Sequence, residues 1–324
     1  MERAQERIPL LVIAGPTAVG KTALSLRLAE TLSGEIISAD SMQIYQGMDV
    51  GTAKPSETER RRVRHHLIDV VSPAERFNVQ DWVRLAEQAV EDITRRAKTP
   101  IVAGGTGLYI NALLDGFLFP DTSADPELRR QLEARGAEDP AALHAELAAV
   151  DPAAAAKLHP NDLRRIVRAL EVYYRTGVPI SALQKKVQRS TRPYKLLYIG
   201  LTRDRAELYE RVNARVDQML QEGLVEEVKG LKERFLDPVG QGSQELTSLQ
   251  ALGYKEILWA LNGTMSLEEA VEILKRDTRR YAKRQLSWFR RDPRVKWFNL
   301  THLSEDEVYR QVTALWYELL QSQQ

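Results

Sequence analysis

The 324-residue chain contains no cysteine. That excludes disulfides and thiolate metal sites, and it fits a reducing compartment, so a cytoplasmic location is expected. No apolar run approaches the roughly 18 residues that a membrane-spanning helix needs, so no membrane partner is expected. The stretch from Met1 to Arg7 is short and charged, and no secretory signal is expected from it. Net charge is nearly absent as well: 46 Lys and Arg face 45 Asp and Glu, a formal +1. A chain so balanced is not a nucleic-acid binder over its whole surface. One further absence narrows the function. No long apolar run ends in paired acids, as it does in ATP-hydrolysing motors, and this turns the expectation toward a small-molecule or group transferase.

The most specific feature present is Gly15-Pro16-Thr17-Ala18-Val19-Gly20-Lys21-Thr22, a complete G-x-x-x-x-G-K-[ST] phosphate loop. An apolar segment from Ile8 to Ala14 precedes it and reads as a buried strand. The residues from Lys21 to Thr31 follow with helical spacing. Strand, turn and helix start form an anion cradle, in which backbone N–H groups and the helix dipole favour negative charge. Lys21 is expected on the terminal phosphate oxygens, and the Thr22 hydroxyl on Mg²⁺.

Further apolar segments read as strands at 35–38, 64–71, 100–103 and 195–201, alternating with a helix at 78–98. Such alternation predicts an α/β fold, a parallel sheet with helices on both faces. Ligands of such sheets bind at the carboxyl ends of the strands. Those ends carry the phosphate loop, Asp40-Ser41 and Gly104-Gly105-Thr106-Gly107. Residues 121–185 are rich in Ala, Leu, Glu and Arg, with helical periodicity and no strand signal. Long amphipathic helices are expected at 204–221, 223–235, 267–290 and 304–321, and a loop at 237–250. The domain division that follows is a P-loop core at 1–119 plus 195–324, with an all-helical insertion at 120–194.

Asp40 ends an apolar strand beside the phosphate loop. Two roles suit it: holding Mg²⁺ through water, or taking a proton from an acceptor nucleophile; an N-cap is the structural alternative. The glycines around Thr106 let a backbone approach a ligand closely, or else form a tight turn before a helix. His65 and His66 lie on a predicted strand and point to opposite faces. No third ligand has suitable spacing, so a packed or hydrogen-bonded pair is expected there rather than a metal. Charge is locally segregated. From Lys275 to Lys296 ten Lys and Arg stand against two Asp, and Gln184 to Lys195 holds five Lys and Arg and no acid. Such runs suggest a polyanion-binding surface, with a solvated helix face as the alternative.

The ordered set of motifs resembles the bacterial tRNA dimethylallyltransferases. It comprises Gly15 to Thr22, Asp40-Ser41-Met42-Gln43-Ile44-Tyr45, Gly51-Thr52-Ala53-Lys54-Pro55, His65-His66-Leu67-Ile68-Asp69 and Gly104 to Tyr109. The segment from His159 to Glu171, Leu252-Gly253-Tyr254-Lys255-Glu256, and Ala282 to Arg290 complete it. The resemblance covers nearly the whole chain, with no departure at a motif position. It implies a P-loop NTPase-like sheet whose loop holds dimethylallyl diphosphate, with Mg²⁺, rather than a nucleotide. It implies transfer of the dimethylallyl group to N6 of the adenine 3′ of the anticodon, position 37. Asp40 is then the base that accepts the N6 proton, and Thr106 places the adenine or the leaving group.

The resemblance also implies a tRNA surface. Asp40, Ser41, Met42, Gln43 and Thr106 belong to it, as do Arg164, Arg165 and Arg168, with Arg129 a further candidate. The polar segment Gln244, Glu245, Leu246, Thr247 and Ser248 resembles a base-reading stretch. On the basic C-terminal helix Lys283 and Arg284 are RNA candidates, whereas Tyr281, Trp288 and Phe289 are assigned to the core. A monomer is expected. Three other functions are the alternatives: an ATP-dependent small-molecule kinase on the same fold, a prenyltransferase acting on free adenosine phosphates, and, from another class, a non-catalytic RNA-binding ATPase. Binding of ATP against dimethylallyl diphosphate separates the first, RNA as acceptor the second, and tolerance of Asp40→Ala the third.

Overall fold

The computed structural model describes residues 7–116, 125–186, 194–236 and 246–322. The chain divides into two compact units, one of Met1–Leu114 with Arg192–Gln324, the other of Asp115–Thr191.

The first unit is built on six strands: β1 (Ile8–Ala14), β2 (Gly34–Ala39), β3 (His65–His66), β4 (Thr99–Gly104), β5 (Tyr194–Thr202) and β6 (Lys296–Asn299). They form one sheet in the order β3-β2-β4-β1-β5-β6, and every pairing is parallel. The central strands read as near-continuous apolar runs because both of their faces are covered. Leu11, Ile13, Ile36, Ile101, Leu197 and Ile199 pack into one core. Into it α1 (Lys21–Thr31), α10 (Arg205–Gln221) and α14 (Glu305–Gln321) bury Leu28, Val212 and Trp316. The alternate residues Leu10, Val12, Ile37, Val102 and Tyr198 are equally buried. Trp82 of α3 (Val79–Arg95) donates to the carbonyl of Ser38 at 3.0 Å and stacks on Tyr109 of α4 (Gly107–Asp115).

Helix starts follow local chemistry. Ser56 opens α2 (Glu57–Arg62), Ser266 opens α13 (Leu267–Phe289) and Ser304 opens α14, each in a reciprocal capping box with a glutamate three residues on. In the helical unit three Asp-Pro pairs do the same work. Asp125, Asp139 and Asp151 cap α5 (Pro126–Glu138), α6 (Pro140–Val150) and α7 (Pro152–Ala155), with proline in the first turn. With α8 (Leu163–Thr176) and α9 (Ile180–Lys186) these helices complete the unit's described residues. Its core is Leu132, Leu143, Leu147, Ile166, Val167 and Leu170.

Three features differ from expectation. The strand expected at 64–71 is only two residues long. Leu67 and Asp69 adopt positive φ of 61° and 57°, which ends the extended run, and Val71 returns only to bridge Tyr45. The edge strand β6 was not expected, because its Lys-Trp-Phe-Asn carries no apolar run or alternation long enough to read. Nor were α2 or α12 (Tyr254–Leu261), which lie in short segments between stronger signals, whereas α4 follows the turn that was the alternative reading of the glycines around Thr106. Among the described residues no helix is long and apolar enough to cross a membrane.

Candidate active site

Strands β2, β4 and β1 are neighbours, and Gly104 pairs with both Ala39 and Ala14. The three loops that follow, at Gly15, Asp40 and Gly105, therefore leave the sheet at one level and side by side. The approach is close: a Cβ on Gly104 would lie 2.2 Å from the carbonyl oxygen of Ala39.

The phosphate loop turns through Gly15, Ala18 and Gly20 at φ of 153°, 62° and 114°. Its carbonyls are held by cations. Lys21 Nζ donates to Pro16 at 2.7 Å, Arg211 Nε to Ala18 at 2.9 Å and Arg203 Nε to Val19 at 3.1 Å. Arg203 is itself buried and anchored on the carbonyl of Leu300. With those carbonyls occupied, neighbouring N–H groups at the start of α1 remain for an anion. Thr17 is different, since its N–H donates to Gln285 Oε1 at 2.9 Å.

Burial, reinforced by the Arg215 guanidinium and opposed by Asp40, pushes the Lys21 ammonium down to about 7. Arg215, on α10, is likewise held below its ordinary value by burial, with Asp40 opposing. Its Nε is buried without a hydrogen-bond partner among the described residues. Two buried cations thus converge beside the loop; the Asp40 charge acts on both, and Glu222 and Arg211 act on Arg215 with opposite signs, an arrangement that favours a polyanion. Arg215 was missed in the sequence. Its spacing of four residues from Arg211 reads equally well as one stripe of a solvated helix.

Asp40 Oδ1 accepts the N–H of Met42 at 2.9 Å, which fixes the carboxylate. Its second oxygen has no donor among the described residues. Thr106 is tied to the same strand end: its N–H donates to Ala39 at 3.0 Å and its Oγ1 accepts the N–H of Ser41 at 3.1 Å. The phosphate loop, Asp40 and Thr106 are therefore brought together, as expected from their places at strand ends. Gln43 serves differently. Its amide accepts from Ser38 and donates to the carbonyls of Thr52 and Ala53, so the side chain holds the 52–53 turn.

The third wall is α13, where the assignment of all three aromatics to the core needs correction. Phe289 is fully buried, but Trp288 is 37% exposed. Trp288 lies against Gly107, where a Cβ would meet its ring at 2.2 Å. Tyr281 faces Thr106 and Gln285, and burial, then the Asp40 charge, push its phenol up. Arg284 stands over the Tyr281 ring at 5.7 Å, and Lys283 is exposed.

The remaining RNA candidates separate. Ser248 is buried and its hydroxyl donates to the carbonyl of Pro73 at 2.7 Å, so it offers no side chain to a ligand. Leu246 precedes a short 3-10 helix, Thr247–Gln250, of which Thr247 is the first residue. Gln244 and Glu245 lie outside the described residues. Within the helical unit, Arg129, Arg164 and Arg168 line one cavity of about 530 Å³ with Glu133, Leu163 and Val167. Glu171, fully buried, accepts from Arg129 at 2.6 Å and Arg168 at 3.0 Å and spaces the two guanidiniums. Arg165 does not line this cavity and pairs with Asp162. His65 and His66 are hydrogen-bonded, to the carbonyl of Val63 and to Glu35.

Comparison with known proteins gives one answer. The family model described as IPP transferase matches residues 43–292. The chain is 49% identical over 304 residues to the tRNA dimethylallyltransferase of Carboxydothermus hydrogenoformans, covering 94% of this chain and 96% of that protein. It is 48% identical over 314 residues to that of Pelotomaculum thermopropionicum, covering 97% and 98%. The crystal structure of the full-length tRNA isopentenylpyrophosphate transferase of Bacillus halodurans superposes with a TM-score of 0.70 at 44% identity, covering 97% of this chain and 98% of that one. A eukaryotic dimethylallyltransferase acting on tRNA reaches a TM-score of 0.83 at 32% identity, covering 98% of this chain and 80% of that one. A family model that matches most of the chain and relatives that match nearly all of it name the same activity, and the chain belongs to that family: the IPP transferases.

Proposed function

We propose that this chain is a tRNA dimethylallyltransferase that moves the five-carbon group of dimethylallyl diphosphate to N6 of adenine 37, beside the anticodon, and releases diphosphate. The observation that carries the reading is the shared level of β1, β4 and β2. It sets an anion cradle and a fixed carboxylate side by side, as a diphosphate leaving group and an amine acceptor require.

The chemistry follows from the residues. The loop N–H groups, Lys21 and Arg215 take up the charge that develops on the departing diphosphate, which is electrostatic catalysis. The adenine amine is a weak nucleophile, and the free oxygen of Asp40 accepts its proton as the C–N bond forms. The Thr106 hydroxyl, fixed through Ser41, orients the acceptor. A loop adenine is already unpaired, so its extrusion into the crevice costs little.

Mg²⁺ suits this donor set. The Thr22 hydroxyl is exposed and has no partner among the described residues, and no cluster of three acidic or histidine ligands exists there to bind a metal by itself. Such a site fits an ion held by one hydroxyl and by substrate oxygens. Bound there, Mg²⁺ would supply charge neutralisation on the diphosphate. The exposed Arg164, with Arg129 and Arg168, supports RNA backbone binding by the helical unit.

The test combines purified protein, Mg²⁺, radiolabelled dimethylallyl diphosphate and an anticodon stem-loop with adenines on the 3′ side of the anticodon. Label in RNA at adenine 37 is the expected result. No labelled RNA, with ATP consumed instead, overturns the reading in favour of a kinase.

A further inference from the structure

Gln285 is the buried polar side chain of α13, only 6% exposed. Both ends of its amide are engaged. Oε1 accepts the N–H of Thr17 in the phosphate loop at 2.9 Å, and Nε2 donates to the carbonyl of Gly105 at 2.9 Å. Gly105 makes room for it, since a Cβ there would lie 2.2 Å from Nε2. The line of bonds continues from Gly105 into Thr106, from Thr106 to Ala39 and Ser41, and from Met42 to Asp40. A single side chain thus joins the diphosphate cradle to the segment that carries the base. Packing alone does not ask for an amide here; a leucine has similar volume and no polar atoms to satisfy. The bond also withdraws one loop N–H from the anion, so it serves something other than phosphate affinity.

Resting on the transferase reading above, we propose that Gln285 is a positioning residue that sets the gap between diphosphate cradle and acceptor base, and thereby decides whether the prenyl carbon meets adenine N6 or water. In transfer, the N6 lone pair forms the C1–N bond, the C1–O bond breaks, diphosphate leaves with the electron pair and the N6 proton goes to Asp40. In the leak, a water oxygen forms the new bond to C1, diphosphate leaves in the same way and the water proton goes to solvent, giving dimethylallyl alcohol. Reacting atoms must lie within about 3–3.5 Å, and a misplacement of about 1 Å costs on the order of 100-fold in rate. Loosening the clip therefore slows transfer more than it slows hydrolysis.

The test uses the full chain with labelled donor and the anticodon stem-loop, and separates prenyl-RNA from prenyl alcohol. Gln285→Leu removes both bonds. Gln285→Glu keeps an acceptor for Thr17 but sets a carboxylate against the Gly105 carbonyl. Gly105→Ala pushes the amide from the other side. Each is expected to lower kcat for transfer about 10- to 100-fold, with KM for donor and RNA moved less than about threefold. The alcohol fraction should rise in each. Combining Gly105→Ala with Gln285→Ala removes the clashing atom, so this pair should lose less than the sum of the single changes. Wild-type kcat and wild-type alcohol fraction in these variants overturn the proposal. So does a loss of kcat that only tracks loss of folded protein, with the product ratio unchanged. Should Gln285→Leu fail to fold, Gln285→Glu and Gly105→Ala decide by the same ratio. A wild-type lane without labelled RNA overturns the transferase reading itself, and the proposal with it.

Discussion

Tyr254 donates its hydroxyl to Glu227 at 2.6 Å, joining α12 to α11 (Leu224–Phe235). The same carboxylate accepts the backbone N–H groups of Asp49, Val50 and Gly51 at 2.8, 2.8 and 3.1 Å. Gly51 lies so close under the Tyr254 ring that a Cβ would meet it at 2.6 Å. The loop so held runs on to Thr52 and Ala53, whose carbonyls receive the Gln43 amide, three positions after Asp40. Two helices far along the chain therefore hold the floor of the acceptor side.

Removing that anchor should destabilise the fold. Glu227→Ala leaves three N–H groups without their acceptor and should lose about 1–3 kcal/mol, and Tyr254→Phe about 1 kcal/mol, in chemical denaturation. Equal stability of Glu227→Ala and wild type would show that water replaces the carboxylate at no cost.

Asp40→Asn separates geometry from chemistry. The asparagine oxygen still accepts the Met42 N–H, so the turn persists, but no base remains. Transfer should fall about 10²- to 10⁴-fold while donor binding, followed by equilibrium dialysis, is unchanged. Retained transfer would reassign the proton to another acceptor.

In the helical unit Arg164 is exposed and forms no ion pair among the described residues, whereas Arg165 is paired with Asp162. Arg164→Ala should raise KM for the stem-loop and reduce the slope of log affinity against log salt by about 1. Arg165→Ala should do less, and neither should alter KM for the donor. An unchanged salt slope for Arg164→Ala would remove the cavity from the RNA surface.

Glu35 gives a pH dependence. It is 1% exposed and accepts from Arg96, from Lys98 at 2.8 Å and from His66 at 2.7 Å. Arg96 above all, with Lys98 and His66, holds its carboxyl well below the ordinary range despite burial. A depressed folded value means that its stabilisation is fully present above the unfolded value near about 4.3 and is lost as pH falls below it. Glu35→Gln should lose about 2–3 kcal/mol at neutral pH. The difference from wild type should shrink steadily in urea titrations taken below about pH 4. A difference constant with pH would assign the loss to packing.

The parts of the site that were legible in the sequence are those fixed by local chain order. A phosphate loop must follow a strand and open a helix, and Asp40 and Thr106 follow strands whose apolar runs are plain. Arg215, Gln285 and Tyr281 were not legible as site residues, because their roles depend on where α10 and α13 dock, and a polar residue on an amphipathic helix looks the same whether it meets water or a ligand. Trp288 misled for the opposite reason: an aromatic at helical spacing is ordinarily core, but here the helix edge meets a glycine. Ser248, in a polar stretch, carried no sign that a proline carbonyl would take its hydroxyl. The short strand β6 fell below any periodicity signal, and β3 was read too long because the positive φ of Leu67 and Asp69 leaves no mark in an apolar run.

The phosphate loop lies near the beginning of the chain, but what steadies it comes late: Arg203, Arg211, Arg215 and Gln285 all follow β5. During synthesis the motif emerges first and its braces last, with the helical unit made in between. A nascent or truncated chain can therefore display the signature of a phosphate-binding protein while lacking the side chains that give the cradle its shape.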